Sequence, residues 1–429
     1  MEERKINYFE IILILLLSLA VFRIPATALL FVFVAFNVGQ YKQLQYGKWQ
    51  WICIAIIAAP LLLDILFFWN NTDWLEGIKH GEKRLALFLV PLFLIGRKPA
   101  IRWLYILRGY SLIFTLVLIG CLGWFALAKS EFFVKYLAGR ELWEMGYVFA
   151  KSLRSHAPAL NLHIAFLVVV NFFLLAQAYW KKHKALLIGG RLLLFVVSAF
   201  MLLFVNTRLA IVNALLGILL ILVFYLWKAS SSRKALNLAF ISLAICAGLF
   251  FAFAKAFPHI LEKYSTVTFA HMDKVGRLDE IDRPEVTVYN ALVTRVSIWK
   301  SASEVARNNL PWGTGAADGK EALNQYYEDS NQQFLATYDF PAHNQFLDFS
   351  IKFGFLGLMV ALLFMSFPAY LGIQLRDPLV LFFFWNFLTA NLVDDFLIRF
   401  DGIVFSALWM SLFAHRWLHQ SGGRARSTV

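Results

Sequence analysis

Charge is scarce in this sequence. Only 16% of its 429 residues are charged, 60% are hydrophobic, and the mean hydropathy is +0.64. A water-soluble domain of that length needs far more polar surface, so composition excludes one. Cysteine is scarce too. Cys53, Cys121 and Cys246 all fall inside apolar runs, which excludes a disulfide framework, and no CxxC pair offers metal ligands. HExxH is missing, and the outer loops hold neither a DxD nor a His pair at ligand spacing, so neither a metal nor another cofactor is expected. There is no internal repeat and no low-complexity linker. No small-residue cleavage pattern follows the first apolar run, so that run reads as a retained helix. The formal net charge of +13 comes without a basic stripe on a soluble segment or a reader motif, so nucleic acid is not an expected partner.

What is present is a series of apolar runs of about 17–25 residues, the length that crosses a bilayer as a helix. The pattern predicts spans at 7–22, 24–40, 50–69, 85–97, 109–128, 159–180, 186–206, 209–227, 235–257, 350–373, 379–396 and 402–418. The fold class expected is therefore all-α: a polytopic membrane protein of about 12 helices with one large, mainly helical outer loop, which the family resemblance given below makes an inner-membrane protein with a periplasmic loop. Residues 1–257 would hold the first nine helices, 258–349 the large loop, and 350–429 the last three helices and a tail. Lys42, Arg97, Lys98, Arg102, Lys181, Lys184, Arg376 and Arg416 all fall on one side, which the positive-inside rule makes cytoplasmic together with both termini. The loop 258–344 is different, with eight Lys/Arg against twelve Asp/Glu. An arginine in it needs a local reason.

Within that loop, Thr294 is a candidate N-cap, and Val296, Trp299, Ala302 and Ala306 recur at helical spacing. The spacing predicts a surface helix of about three turns that stops before Pro311, since proline disfavours helix ahead of it. Gly313-Thr314-Gly315 predicts a tight turn whose amides can approach a ligand. After Pro341, the spacing of Phe346, Leu347, Ser350 and Ile351 places His343 in the first turn of the helix entering the tenth span. The helix dipole disfavours imidazolium there, whereas an anionic substrate favours it, so the sequence leaves its charge open.

Arg295-x-x-x-Trp299, Pro311-Trp312-Gly313-Thr314-Gly315, His343-Asn344-x-x-Leu347 and Gly354-x-x-Gly357 together resemble the signature of the O-antigen ligase and O-antigen polymerase family. Thr207-Arg208, at the outer end of the seventh span, resembles that family's second arginine motif, although here it reads Thr-Arg-Leu-Ala without the small residue often seen after arginine. The resemblance covers the plan of the whole chain, while its specific motifs occupy mainly 206–213 and 295–357. It implies an enzyme that moves glycan from undecaprenyl diphosphate to an acceptor at the periplasmic face. For a ligase that acceptor is the lipid A–core oligosaccharide. Another glycan unit would make the chain a polymerase, and a protein side chain an O-oligosaccharyltransferase. A transporter of lipid-linked sugars is the non-enzyme alternative, but broken mid-membrane helices and inverted repeats are not evident.

Such chemistry wants guanidinium groups on a departing diphosphate, because they bind phosphate bidentately and stay charged. Arg208 and Arg295 are the candidates, and His343 is the candidate base for the acceptor hydroxyl. Taken singly, Arg208 also reads as a snorkelling anchor, Arg295 as an exposed ion-pair partner, and His343 as a surface histidine. Asn344 and Arg154 are further candidate substrate contacts, with loop bonding and a solvated turn as their plainer readings. His156 belongs with Arg154. Asp394 and Asp395, at the outer end of the eleventh span, are expected to orient an arginine or touch acceptor sugar, with a bound cation as the alternative. No second nucleophile is evident, so a single inverting displacement is expected.

Overall fold

A computed structural model describes residues 7–138, 145–228, 269–289 and 291–426, with isolated positions between 237 and 255. Among these the chain is helical, with no strand. The helices are α1 (Tyr8–Leu19), α2 (Arg23–Gly39), α3 (Lys48–Leu66), α4 (Trp74–Arg84), α5 (Ala86–Ile95), α6 (Trp103–Ala128), α7 (Ser130–Leu137), α8 (Met145–Ser152), α9 (Ala157–Trp180), α10 (Ala185–Val205) and α11 (Arg208–Lys228). After the large loop begins come α12 (Leu292–Asn308), α13 (Gly319–Asp329), α14 (Gln333–Thr337), α15 (Gln345–Leu375), α16 (Pro378–Val393) and α17 (Phe400–Arg426). Six of them (α3, α6, α9, α10, α11 and α15) are long and apolar enough to cross a membrane, and shorter apolar helices accompany them. The protein is an all-α, multi-pass membrane protein. The expected span at 235–257 lies outside the described residues.

Apolar residues enforce helix here because hydrocarbon supplies no partner for backbone N–H and C=O. α9 is apolar all round and lies at the centre of the bundle, buried along its length. Its Phe166 meets Trp409 of α17 edge to face at 4.7 Å, stacks on Phe382 of α16 and meets Phe383 edge to face. The basic residues named above gather at one end. There Arg97 donates to Asn37 and Gln40, Arg102 pairs with Glu10, and Arg416 pairs with Asp377.

At the other end the large loop forms its own small core. Val293, Ile298 and Val305 of α12 meet Leu323 and Tyr327 of α13, with Phe334 and Phe340 beside them. α12 ends at Asn308 as its proline predicts, but it begins at Leu292, not after Thr294. Thr294 is buried inside the helix, and its hydroxyl donates back to Val288 O at 2.6 Å. A backbone partner upstream let the helix start earlier than a threonine cap would have set it.

α15 joins two helices across a break at Gly354, whose φ of 58° and ψ of −139° are open to glycine. The break frees the carbonyls of Ile351 and Lys352. Thr314 N and Gly315 N bind them at 2.8 and 3.0 Å, and Phe355 N donates to Pro311 O at 3.1 Å. Of the Gly-Thr-Gly amides expected to face a ligand, those of Thr314 and Gly315 therefore bind a membrane helix, and Gly313 N donates to Asn309 O at 2.7 Å. Asn70 Nδ2 donates to Gly313 O at 3.0 Å and Ala317 N to Asn71 Oδ1 at 2.8 Å, so the segment before α4 clamps the same turn.

Candidate functional site

His343 sits immediately before the N-cap of α15, with a φ of 46°. The cap is Asn344, whose Oδ1 accepts from Phe346 N at 3.0 Å and Leu347 N at 3.2 Å. Asparagine outcompetes histidine for that post, so the expectation of His343 in the first helical turn is corrected. Asn344 Nδ2 also donates to Leu392 O at 3.1 Å, which ties the start of α15 to the end of α16. Trp299 Nε1 of α12 donates to His343 O at 3.1 Å. The backbone of His343 is thus fixed from three elements.

Its ring faces the turn after α16. Nδ1 lies 3.2 Å from Asp394 Oδ1 and 3.5 Å from Asp395 Oδ1. Asp394 also holds Arg399 Nη2 at 3.5 Å and has His156 Nδ1 at 3.9 Å. Burial opposes the His343 imidazolium, but the hydrogen bonds of Asp394 and Asp395 outweigh it and raise the group to about 9. Burial would raise Asp394, yet the His343 bond and Arg399 pull it well below the usual carboxylate range. Asp395 is pushed up, chiefly by burial. His156 falls to about 4, by burial first and then by Arg399. At neutral pH the arrangement is an ionised Asp394, a charged His343 and a neutral His156. Two carboxylates override the helix-dipole argument at His343 because they touch the ring.

The arginines arrive from other elements. Arg295 of α12 donates through Nη1 to Val393 O, one residue before Asp394. Arg208 opens α11 after a left-handed Asn206 (φ 53°) and a Thr207 whose Oγ1 accepts from Asn161 of α9 at 2.9 Å. Tyr147 of α8, raised chiefly by burial, lies within the electrostatic reach of Arg295, Arg208 and Asp394. A Cβ on Gly146 would lie 2.1 Å from Val205 O, so this glycine lets α8 rest on the turn that presents Arg208. Arg154 occupies a left-handed turn (φ 55°) two residues before His156, and it is His156 that reaches Asp394.

His343, Asp394 and Asp395 also form a trio whose ligand atoms lie within 4.8 Å of one another, a spacing open to a metal ion. Their separation of about fifty positions hid this from spacing rules. With its pKa raised, the imidazole keeps the Nδ1 proton that the carboxylates accept, so the trio's donor atoms already serve each other. This leaves Nε2 as the ring atom open to a substrate. Sequence reasoning named Asp394 and Asp395 but paired them with sugar or arginine. Their main partner, His343, and the roles of Arg399 and Tyr147 emerge only from the fold.

Residues 193–362 match the family model described as O-antigen ligase, a stretch that includes Arg208, Arg295 and His343. A search of curated proteins found no match.

Proposed function

We infer that this chain, whose residues 193–362 belong to the O-antigen ligase family, transfers glycan from undecaprenyl diphosphate to the lipid A–core oligosaccharide at the periplasmic face of the inner membrane. The observation that carries the reading is the convergence of one histidine, its two carboxylates and two arginines from four separate parts of the chain.

In the reaction an acceptor hydroxyl oxygen attacks the anomeric carbon of the donor sugar. The new glycosidic bond forms as the bond from sugar to diphosphate breaks, with inversion. In the fraction of molecules whose His343 imidazole is neutral, the hydroxyl proton passes to Nε2, and the electron pair of the breaking bond leaves with the diphosphate. Arg208 and Arg295 neutralise that anion, a preorganised charge worth a few kcal/mol in the transition state. Asp394 holds the imidazole through Nδ1, so the free Nε2 points to substrate, as in other carboxylate–histidine pairs. Asn344 fixes the peptide that carries the ring, and Asp395 and Arg154 stand near enough in the chain to contact acceptor.

The test is transfer by purified protein given undecaprenyl-diphosphate-linked glycan and, separately, lipid A–core, a second glycan unit or a protein acceptor. Lipid A–core is expected to gain sugar. If only another acceptor does, the ligase reading fails and a polymerase or protein transferase replaces it; flipping of the lipid-linked glycan without transfer supports the transporter. Arg208→Ala, Arg295→Ala and His343→Ala are each expected to lower the rate by about 10²–10³-fold with normal expression.

A further inference from the structure

Behind Asp395 lies a cavity of about 360 Å³ that the site chemistry above leaves unused. It falls in the usual size range of small-molecule sites, roughly 300–1,000 Å³. α4 supplies His80, α13 supplies Lys320, α15 supplies Asp348 and Lys352, and the turn between α16 and α17 supplies Asp395 and Arg399. Pro341 and Ala342, the residues just before His343, complete its edge, while Arg208 and Arg295 are not part of its wall. The cavity wall therefore shares no residue with the two arginines.

The charges in this wall are already matched within the protein. Lys352 Nζ lies 2.7 Å from Asp348 Oδ1, Arg399 pairs with Asp394 at 3.5 Å, and Lys320 pairs with Asp339. Gln345 Nε2 donates to Asp348 Oδ2 at 3.1 Å, and Gln345 Oε1 accepts from Leu397 N at 2.8 Å, so the wall is bonded into the same turn that carries Asp395. Matched pairs offer donors and acceptors without a free charge, a surface suited to a polyol and poorly suited to a phosphate. His80 is held neutral, first by burial and then by Lys352, Arg84 and Lys83, and a neutral imidazole both donates and accepts. Lys352 is buried, and its stem lies against Gly319, where a Cβ would come within 2.6 Å of Cγ. Gly319 thus leaves room for the lysine at the cavity wall.

We propose that this cavity is the acceptor subsite, binding an uncharged sugar unit of the acceptor glycan beside the turn that carries Asp395 and the segment that leads into His343. The proposal rests on the glycan-transfer reading above.

Full-length protein in nanodiscs decides it. Initial rates are read against lipid A–core at saturating donor, and against donor at saturating lipid A–core, for wild type, His80→Trp and Lys320→Ala. His80→Trp fills the cavity, and the acceptor KM is expected to rise about tenfold with the donor KM unchanged. Lys320 is half exposed, so Lys320→Ala provides a variant that folds; it is expected to raise the acceptor KM about threefold. A rise in donor KM alone, or no change in either constant, overturns the proposal. The second arm uses delipidated core oligosaccharide without donor, followed by saturation-transfer NMR. Signal in wild type, weakened in His80→Trp and surviving added inorganic pyrophosphate, supports the cavity even if no transfer is found and the functional reading falls. Signal equal in both proteins, or displaced by pyrophosphate, overturns it.

Discussion

The two carboxylates on His343 Nδ1 set the pH behaviour of the reaction. A base must be unprotonated before it can accept the hydroxyl proton, and this group holds its proton up to about 9. The rate should therefore climb with pH through about 9 and level off above it. A rate that falls over that range would make His343 an acid or a charge for the diphosphate. His156, at about 4, stays neutral throughout and does not contribute to the limb. Asp394→Asn removes the nearer carboxylate and should move the rising limb down by about one to two units, with a lower plateau. The measurement is initial rate against pH for both proteins. The same residues argue for a second outcome. Because the imidazole proton already occupies the space between His343 and its aspartates, transfer should persist in excess chelator. Loss of activity on chelation, restored by a divalent ion, would identify the trio as a cation site.

At the scale of elements, the motif turn and the broken helix depend on each other. Gly354 frees two carbonyls, and the turn at Gly313–Gly315 takes them up. A Cβ at Gly354 would fall 1.8 Å from Pro311 O, at a φ of 58°. Gly354→Ala should destabilise the protein by about 2–4 kcal/mol and lower activity, because the same helix begins at the cap beside His343. Thermal unfolding in detergent checks the first effect, and an unchanged melting temperature would overturn it. In the sequence, Gly313, Gly315 and Gly354 were legible as signals of unusual backbone. Their partnership was not, since amides aimed at a ligand and amides aimed at a helix break need the same glycines. Thr294 failed for a related reason: a cap residue can equally bond backward from within a helix.

The whole molecule segregates its charge. Arg97, Arg102 and Arg416 find partners at one end of the bundle, and His343, Asp394, Arg295 and Arg208 meet at the other. If the second end faces the periplasm, Lys320→Cys should react with an impermeant maleimide in cells with a permeabilised outer membrane, while Arg376→Cys should react only after lysis. Cys53 is buried and Cys121 half-buried, so with Cys246 replaced by serine the background should be low. The reverse pattern would invert the topology.

The sequence by itself determined that the chain is a helical membrane protein. Lipid imposes helix on any long apolar run. The sequence also marked His343, Arg295 and Arg208 as the residues to watch, through motifs that resemble one family's, and Arg295 further because an arginine in an acidic loop stands out. Tertiary structure alone decided what those residues touch. The Asp394–Asp395 turn reaches His343 across some fifty positions, and α8 reaches Arg208 across some sixty. Contacts of that kind leave no periodic trace along a chain, since they follow from which helix faces pack together. The raised pKa of His343 and the cavity behind Asp395 are consequences of that packing.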